Sequence, residues 1–224
     1  DEIIYINPIK GYKITRFYDG VETLDDENIE QVKKAMQILR DLHEANIQVK
    51  HHFDLETEIK TYLNICEQEN ITYYPHHDKL IPKIEKLLKY TQQHANKLRL
   101  CHIDSVKDNF LVLKDESIRL IDWEYAGMAD PYLDIAMFAI YSYYNKDELD
   151  LLLELYLDRK PSKKDFALFY GYISLAGFLW SLWTQYKESL GEYYGEYGPK
   201  QFEYAQVYSD LALNYFEELA NSEH

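Results

Sequence analysis

A short hairpin pattern lies in the middle of a chain whose remaining pattern is mostly helical, and this combination limits the fold more than any other feature. Strand-like apolar residues run from Phe110 to Leu113 and from Ile118 to Ile121, joined by a polar turn. Long segments on both sides repeat their apolar residues every three or four positions, which is typical of amphipathic helices. The sequence therefore predicts an α+β fold that is mainly α, with a small hairpin embedded among helices.

Seven helical segments are predicted. The first follows Asp25 and Asp26, which are suited to cap it, and it carries apolar residues at Val32, Met36, Leu39 and Leu42. The others cover about 54–69, 76–97, 130–144, 147–158, 163–190 and 199–220. We expect residues 21–224 to form one mainly helical unit.

The first twenty residues predict a second hairpin. Residues 3–6 and 12–17 are strand-like, and Pro8 to Gly11 read as the turn between them. An isolated two-stranded hairpin is only marginally stable in water, and the chain opens with Asp1 rather than Met. We therefore expect residues 1–20 to be the end of a β-sheet lobe whose earlier strands lie outside this sequence.

Charge and cysteine content exclude several classes of function. The 224 residues contain 24 Lys and Arg against 39 Asp and Glu, a net charge of −15, which argues against nucleic acid or an anionic membrane surface as a partner. Two cysteines and the lack of a signal-like segment favour a cytoplasmic location. No apolar run approaches the roughly 20 residues of a membrane span, so we expect no membrane insertion.

Polar residues with the spacing of phosphoryl-transfer machinery flank the central hairpin. His102, Asp104 and Asn109 form an H-x-D-x-x-x-x-N pattern, and Asp122 follows thirteen residues after the asparagine. Such transfer needs a carboxylate to orient the attacking hydroxyl and accept its proton, and oxygen ligands for Mg²⁺. A hairpin returns the chain to its origin, so the three groups meet. The pattern predicts Asp104 as the base and Asn109 with Asp122 as metal ligands.

The same residues have a simpler interpretation, because Asp and Asn in loops are usually turn formers or helix caps. The charge of the surrounding segment favours the interpretation of these residues as a base and metal ligands. Residues 101–145 contain eight acidic and three basic side chains in an otherwise apolar stretch. Carboxylates that converge in such surroundings require a cation.

The segment 163–190 carries an aromatic stripe. Phe169, Ile173, Ala176, Trp180 and Trp183 are spaced four, three, four and three residues apart. A stripe of this kind usually packs in a core. Two tryptophans one turn apart are also suited to hold a quaternary ammonium, which offers no hydrogen-bond donor and is bound by aromatic faces. Tyr125, next to the proposed metal ligands, would be a third wall.

The segments Leu100–Val112 and Leu120–Gly127, followed by D-P-Y-L-D-I-A from Asp130, together resemble the choline/ethanolamine kinase family. The resemblance is closest to bacterial choline kinases of the LicA type, within the wider aminoglycoside-phosphotransferase-like group. It extends from Ile3 to about Tyr215. It implies a protein-kinase-like fold, in which an N-terminal sheet lobe binds ATP and a C-terminal helical lobe carries the catalytic loop, here residues 100–127.

The resemblance also implies residue roles. Asp104 matches the catalytic aspartate, and Asn109 and Asp122 match the magnesium ligands. Phe17, Tyr18 and Asp19 match the hinge between lobes, whose backbone binds adenine.

Other matching positions concern support and substrate. His102 and Asp134 are expected to support the catalytic loop rather than to touch substrate. Trp180 and Trp183, within F-L-W-S-L-W, match the family's choline-site helix. Glu124 either lines the alcohol site or simply packs. Two interpretations remain for the tyrosines of the following loop: they close the pocket, or they are simply exposed. These tyrosines are Tyr193, Tyr194 and Tyr197.

One departure from the family stands out. Only Gly11 and Gly20 precede the catalytic loop, so no glycine-rich phosphate loop is visible, and Lys13 is better explained as an edge-strand surface lysine than as the ATP lysine. We therefore expect residues 1–224 alone to have little or no kinase activity.

The predicted function is a choline kinase that uses Mg²⁺ and ATP and yields phosphocholine. Within the kinase class, ethanolamine or an aminoglycoside is an alternative substrate. In another class, the alternative is a non-catalytic pseudokinase or cation-binding module.

Overall fold

The computed structural model describes residues 2–222. Its helices are α1 (Ile29–Glu44), α2 (Leu55–Gln68), α3 (His77–His94), α4 (Pro131–Tyr141), α5 (Lys146–Leu157), α6 (Lys163–Ser189) and α7 (Tyr197–Ser222). These confirm the seven predicted helices and the mainly α fold. Helix α4 ends three residues earlier than predicted, because Tyr143 adopts a left-handed backbone conformation with φ of 57°.

Within residues 2–222, seven short strands form three small antiparallel sheets. They are β1 (Ile3–Asn7), β2 (Tyr12–Thr15), β3 (Glu22–Thr23), β4 (Arg99–Cys101), β5 (Phe110–Val112), β6 (Ile118–Leu120) and β7 (Gly127–Ala129). Strand β1 pairs with β2, β4 with β7, and β5 lies between β3 and β6. Both predicted hairpins are confirmed. The sequence pattern did not reveal β3, β4 or β7, since these strands of two or three residues show no alternation and form only against distant partners.

The β1–β2 hairpin has no further strand neighbour within residues 2–222. Most of its apolar side chains are exposed, including Ile4 and Ile6. The assignment of residues 1–20 to the end of a sheet lobe stays a prediction.

Helix α6 is the central element of the fold. It packs mainly against α7 and also contacts α2, α3 and α4. Gly177 allows its closest approach to α7, because a Cβ atom there would lie 2.6 Å from the backbone oxygen of Gln201. The site residues at the C-terminal end of α6 therefore project from a rigid, well-packed helix.

From the sequence we found no apolar run close to the length of a membrane span, and helix α6 corrects that statement. It is the one helix in the described part of the chain that is long and apolar enough to cross a membrane, with a mean hydropathy of 1.4 over 18 residues. However, 83% of that window is buried inside the protein. Its apolar character is that of a core helix, which passes the same test of length and composition.

Candidate active site

The loop between β4 and β5 carries the predicted base, and hydrogen bonds to Asp134 hold it in place. The Asp134 carboxylate, near the start of α4, accepts hydrogen bonds from the backbone N–H groups of His102 (2.8 Å) and Ile103 (2.6 Å). Ile103 has a φ of 72°, a left-handed conformation that is strained for a β-branched residue. The two bonds hold the backbone in this conformation immediately before Asp104.

Further groups form hydrogen bonds with the side chain and the backbone of Asp134. The His43 imidazole Nε2 lies 2.9 Å from Asp134 Oδ2, and its Nδ1 lies 2.8 Å from the Tyr156 hydroxyl. Ser105 Oγ donates to the Asp134 backbone oxygen at 2.5 Å. His43, Cys101 and Asp134 lie close enough to be considered as a metal site, but Asp134 is fully buried and its oxygens already accept hydrogen bonds. We therefore interpret this cluster as a support for the loop.

His102 is also directed away from the cavity. Its Nε2 donates to the Ile121 backbone oxygen at 2.8 Å, and its ring packs edge-on against Trp123 with centroids 4.8 Å apart. These contacts join the start of the catalytic loop to the end of β6. They agree with the expected supporting role of His102 and Asp134.

Asp104, Asn109 and Asp122 converge as the hairpin geometry requires. Asn109 Nδ2 donates to the Asp104 backbone oxygen (2.8 Å) and to its carboxylate Oδ2 (2.9 Å). The pKa of Asp104 is raised, chiefly because burial disfavours its charged form; the Asn109 hydrogen bond and His102 oppose this shift, and the Asp122 charge adds to it. Asp122 follows β6 in a left-handed conformation (φ 64°) and is exposed.

The donor set of this cluster fits a hard divalent cation. Asn109 uses its amide nitrogen on Asp104, which leaves its oxygen Oδ1 free to face a metal. Asp122 adds an exposed carboxylate. Amide and carboxylate oxygens that leave room for water and phosphate oxygens are the ligands Mg²⁺ prefers.

Beside Asp104 lies a cavity of about 600 Å³ with a largely aromatic wall. The Trp180 and Trp183 rings meet edge to face with centroids 5.6 Å apart, and Trp180 Nε1 donates to Met137 Sδ at 3.0 Å. Tyr125 lines the cavity and is exposed. The complete lining is Asp104, Val106, Lys107, Asp108, Glu124, Tyr125, Met137, Ile140, Tyr141, Tyr143, Trp180, Trp183, Tyr194 and Tyr197.

The structure thus brings together the predicted base and all three predicted aromatic residues. Of the three loop tyrosines, Tyr194 and Tyr197 line the cavity, whereas Tyr193 does not and is 84% exposed. Glu124, for which the sequence left two interpretations, lines the cavity as well.

The predicted hinge residues lie outside this cavity. Phe17, Tyr18 and Asp19 connect β2 to the turn before β3, and Phe17 is 87% exposed. Strand β3 pairs with β5, which begins directly after Asn109. Their contact with adenine stays a prediction.

Sequence reasoning missed the wall that α4 contributes. Met137, Ile140 and Tyr141 line the cavity, and Tyr141 donates to the Asp108 carboxylate at 2.6 Å. The first two residues are spaced three apart, and Tyr141 lies four after Met137, so they share one helix face. That periodicity was visible, but it does not show whether a face meets the core or a cavity.

The family model for choline/ethanolamine kinases matches residues 10–206 of this chain. The chain belongs to the choline/ethanolamine kinase family. It is therefore a kinase of the kind that phosphorylates small alcohols, with ATP as the expected phosphoryl donor.

One relative and two solved structures illustrate what the chain is similar to. Protein LicA of Haemophilus influenzae is 30% identical over 221 residues, which cover 93% of this chain and 79% of that protein. The choline kinase LicA of Streptococcus pneumoniae is 27% identical, with a TM-score of 0.76 over 94% of this chain and 74% of that one. A LicA structure in complex with AMP is also 27% identical, with a TM-score of 0.77 over 94% and 73% of the two chains. The protein-kinase-like fold predicted from the sequence is confirmed.

Proposed function

We propose that this protein is a choline kinase, which transfers the γ-phosphoryl group of MgATP to the choline hydroxyl and yields phosphocholine. The observation that carries the proposal is the aromatic cavity, because it places two tryptophans and several tyrosines beside the half-buried carboxylate of Asp104. The match to a choline kinase of 27% identity supports the same substrate.

The chemistry of the cavity favours a quaternary ammonium over a primary one. Aromatic faces attract a cation that lies within about 6 Å of the ring centroid, and they require no hydrogen bond from it. Ethanolamine carries three N–H donors that need oxygen acceptors once buried. The acidic side chains Asp108 and Glu124 also line the cavity, but Asp108 already accepts a hydrogen bond from Tyr141. Tyr125, Trp180 and Trp183 are the proposed substrate-binding residues.

In the proposed reaction, Asp104 orients the choline hydroxyl and accepts its proton as the oxygen attacks phosphorus. Asn109 keeps the Asp104 carboxylate in place and, together with Asp122, would hold Mg²⁺. The metal, when bound, neutralises charge on the phosphate oxygens. The backbone of Phe17, Tyr18 and Asp19 is the proposed adenine contact.

Choline binding by residues 1–224 tests the substrate assignment independently of phosphoryl transfer. We expect choline to quench tryptophan fluorescence and to bind more tightly than ethanolamine or an aminoglycoside in parallel calorimetric titrations. Trp183→Ala should weaken choline binding, whereas Tyr193→Ala, on the neighbouring exposed tyrosine, should not. Preference for ethanolamine or an aminoglycoside would refute the assignment to choline.

A second measurement separates the kinase from a non-catalytic module. ATP-dependent formation of phosphocholine is measured for the protein together with any sequence that its gene encodes before residue 1. Choline binding without any phosphocholine, at all MgATP concentrations, would favour the module.

A further inference from the structure

The loop between α6 and α7 places one tyrosine in the cavity wall and the next one in solvent. Tyr194 packs edge-on against Trp183, with ring centroids 4.9 Å apart and an interplanar angle of 61°, and it lines the cavity. Its neighbour Tyr193 points outward and is 84% exposed. Some contact must therefore select which of the two adjacent rings faces Trp183.

Glu192 supplies that contact. One carboxylate oxygen, Oε2, accepts a hydrogen bond from the Tyr194 hydroxyl at 2.6 Å. The other, Oε1, accepts one from Lys187 Nζ at 2.7 Å. Lys187 belongs to α6, which also carries Trp183, so the carboxylate connects the loop tyrosine to the helix on which its aromatic partner lies.

Backbone hydrogen bonds hold the loop at two points but do not set the direction of the Tyr194 ring. The Glu192 N–H donates to the Lys187 backbone oxygen at 3.1 Å, and the Tyr197 N–H donates to the Tyr194 backbone oxygen at 3.2 Å. Gly191 and Gly195 enclose the segment and have φ values of 88° and 60°, and a Cβ atom at either position would meet nothing within 4 Å. Glycine adopts such conformations at little cost and leaves the chain many alternatives. The position of the Tyr194 ring therefore depends on its side-chain contacts.

The position of Lys187 gives the Glu192 carboxylate a second role. Its Nζ lies 5.9 Å from the centroid of the Trp183 ring, at the limit of a cation–π contact. The same ring that attracts a ligand ammonium also attracts this lysine. Glu192 neutralises the lysine and keeps it at the outer edge of the site.

We propose that Glu192 is a positioning residue for substrate recognition: it holds Tyr194 as an additional aromatic wall over Trp183 and restrains Lys187 from competing with the ligand cation. The inference rests on the proposed function, since it assigns the wall to a quaternary-ammonium substrate. Glu192 itself does not line the cavity and acts through Tyr194.

Four variants of residues 1–224 test the proposal, with choline as the probe. Glu192→Ala should weaken choline binding by about 2- to 30-fold, the effect of losing one aromatic face. Tyr194→Phe keeps the ring but loses the hydroxyl that reaches Glu192, so it should weaken binding in the same direction. Both substitutions remove the same hydrogen bond between Tyr194 and Glu192. The double variant should therefore bind choline no more weakly than Glu192→Ala. Glu196→Ala, an exposed carboxylate of the same loop, is the matched control and should bind like the unchanged protein.

Acrylamide quenching of tryptophan fluorescence gives a readout that needs no ligand. Glu192→Ala should increase quenching because Trp183 loses its cover, while the melting temperature stays at that of the Glu196→Ala control. Glu192→Gln keeps an acceptor for the Tyr194 hydroxyl and should restore both the low quenching and most of the choline affinity.

The outcomes separate this inference from the proposed function. Choline affinity and quenching of Glu192→Ala equal to those of Glu196→Ala, or additive losses in the double variant, would overturn the role of Glu192. Failure of the unchanged protein to bind choline would overturn the proposed substrate. In that case the quenching experiment still decides whether Glu192 holds Tyr194 over Trp183.

Discussion

Replacing Asp134 with asparagine changes one buried carboxylate oxygen to an amide group while it keeps the side-chain shape. Asp134 is fully buried and receives hydrogen bonds from His102 N, Ile103 N and His43 Nε2. The introduced asparagine would accept on one side only, so its NH₂ group would face a backbone N–H that has lost its acceptor. The substitution therefore tests whether this carboxylate holds the catalytic loop.

The expected loss of stability is large. A hydrogen bond to a carboxylate contributes about 1.5–3 kcal/mol, and a buried N–H left without an acceptor costs about 1–3 kcal/mol. We expect Asp134→Asn to lower the free energy of unfolding by about 3–5 kcal/mol, or the melting temperature by roughly 6–20 °C in a protein of this size. Asp147→Asn, at an exposed position in the first turn of α5, should change it by less than about 0.5 kcal/mol.

Urea unfolding followed by circular dichroism measures the stability change, and choline titration measures the effect on the site. Because the aromatic wall is built mainly on α4, α6 and the α6–α7 loop, the folded fraction of Asp134→Asn should still bind choline. In an assay of phosphocholine formation by the protein together with any sequence encoded before residue 1, kcat should fall, since Ile103 is released from its left-handed conformation and Asp104 moves. A stability loss below about 1 kcal/mol with unchanged kcat would show that other contacts hold the loop, and it would refute this reasoning.

Three further outcomes are expected. In the same assay of phosphocholine formation, Asp104→Ala should abolish turnover and leave choline affinity nearly unchanged; retained turnover would exclude Asp104 as the base. Burial raises the pKa of Asp104, so its carboxylate becomes protonated at a higher pH than an ordinary aspartate. In a pH–rate profile, kcat/KM should therefore fall with decreasing pH at a midpoint above about 3.9. A midpoint at or below that value would contradict the raised pKa. Gly177→Ala should destabilise the protein by about 1–3 kcal/mol in urea unfolding, because overlap with the Gln201 backbone outweighs the roughly 1 kcal/mol by which alanine favours a helix; a stabilised variant would mean that α7 shifts freely.

The sequence determined the parts of this protein that local physical rules control. Apolar periodicity located the helices within residues 2–222. Helices α1, α2, α3 and α5 each bury one apolar stripe, whereas α4 and the middle of α6 are apolar and buried nearly all round. The spacing of Asp104, Asn109 and Asp122 around a tight hairpin was sufficient to predict that they meet, since a hairpin of this length allows few other geometries. Helical spacing placed the two tryptophans of α6 on one stripe, and the family resemblance assigned that stripe to the substrate site.

Tertiary structure decided what depends on contacts between distant segments. Strands β3 and β7 are too short to leave a pattern and form only against β5 and β4. The face of α4 that carries Met137 and Tyr141 borders a cavity as well as the core because of how α4 packs beside α6. The choice of Tyr194 over Tyr193 depends on the reach of Glu192. Local sequence specifies which side chains share a face, whereas the packing of whole elements decides what that face contacts.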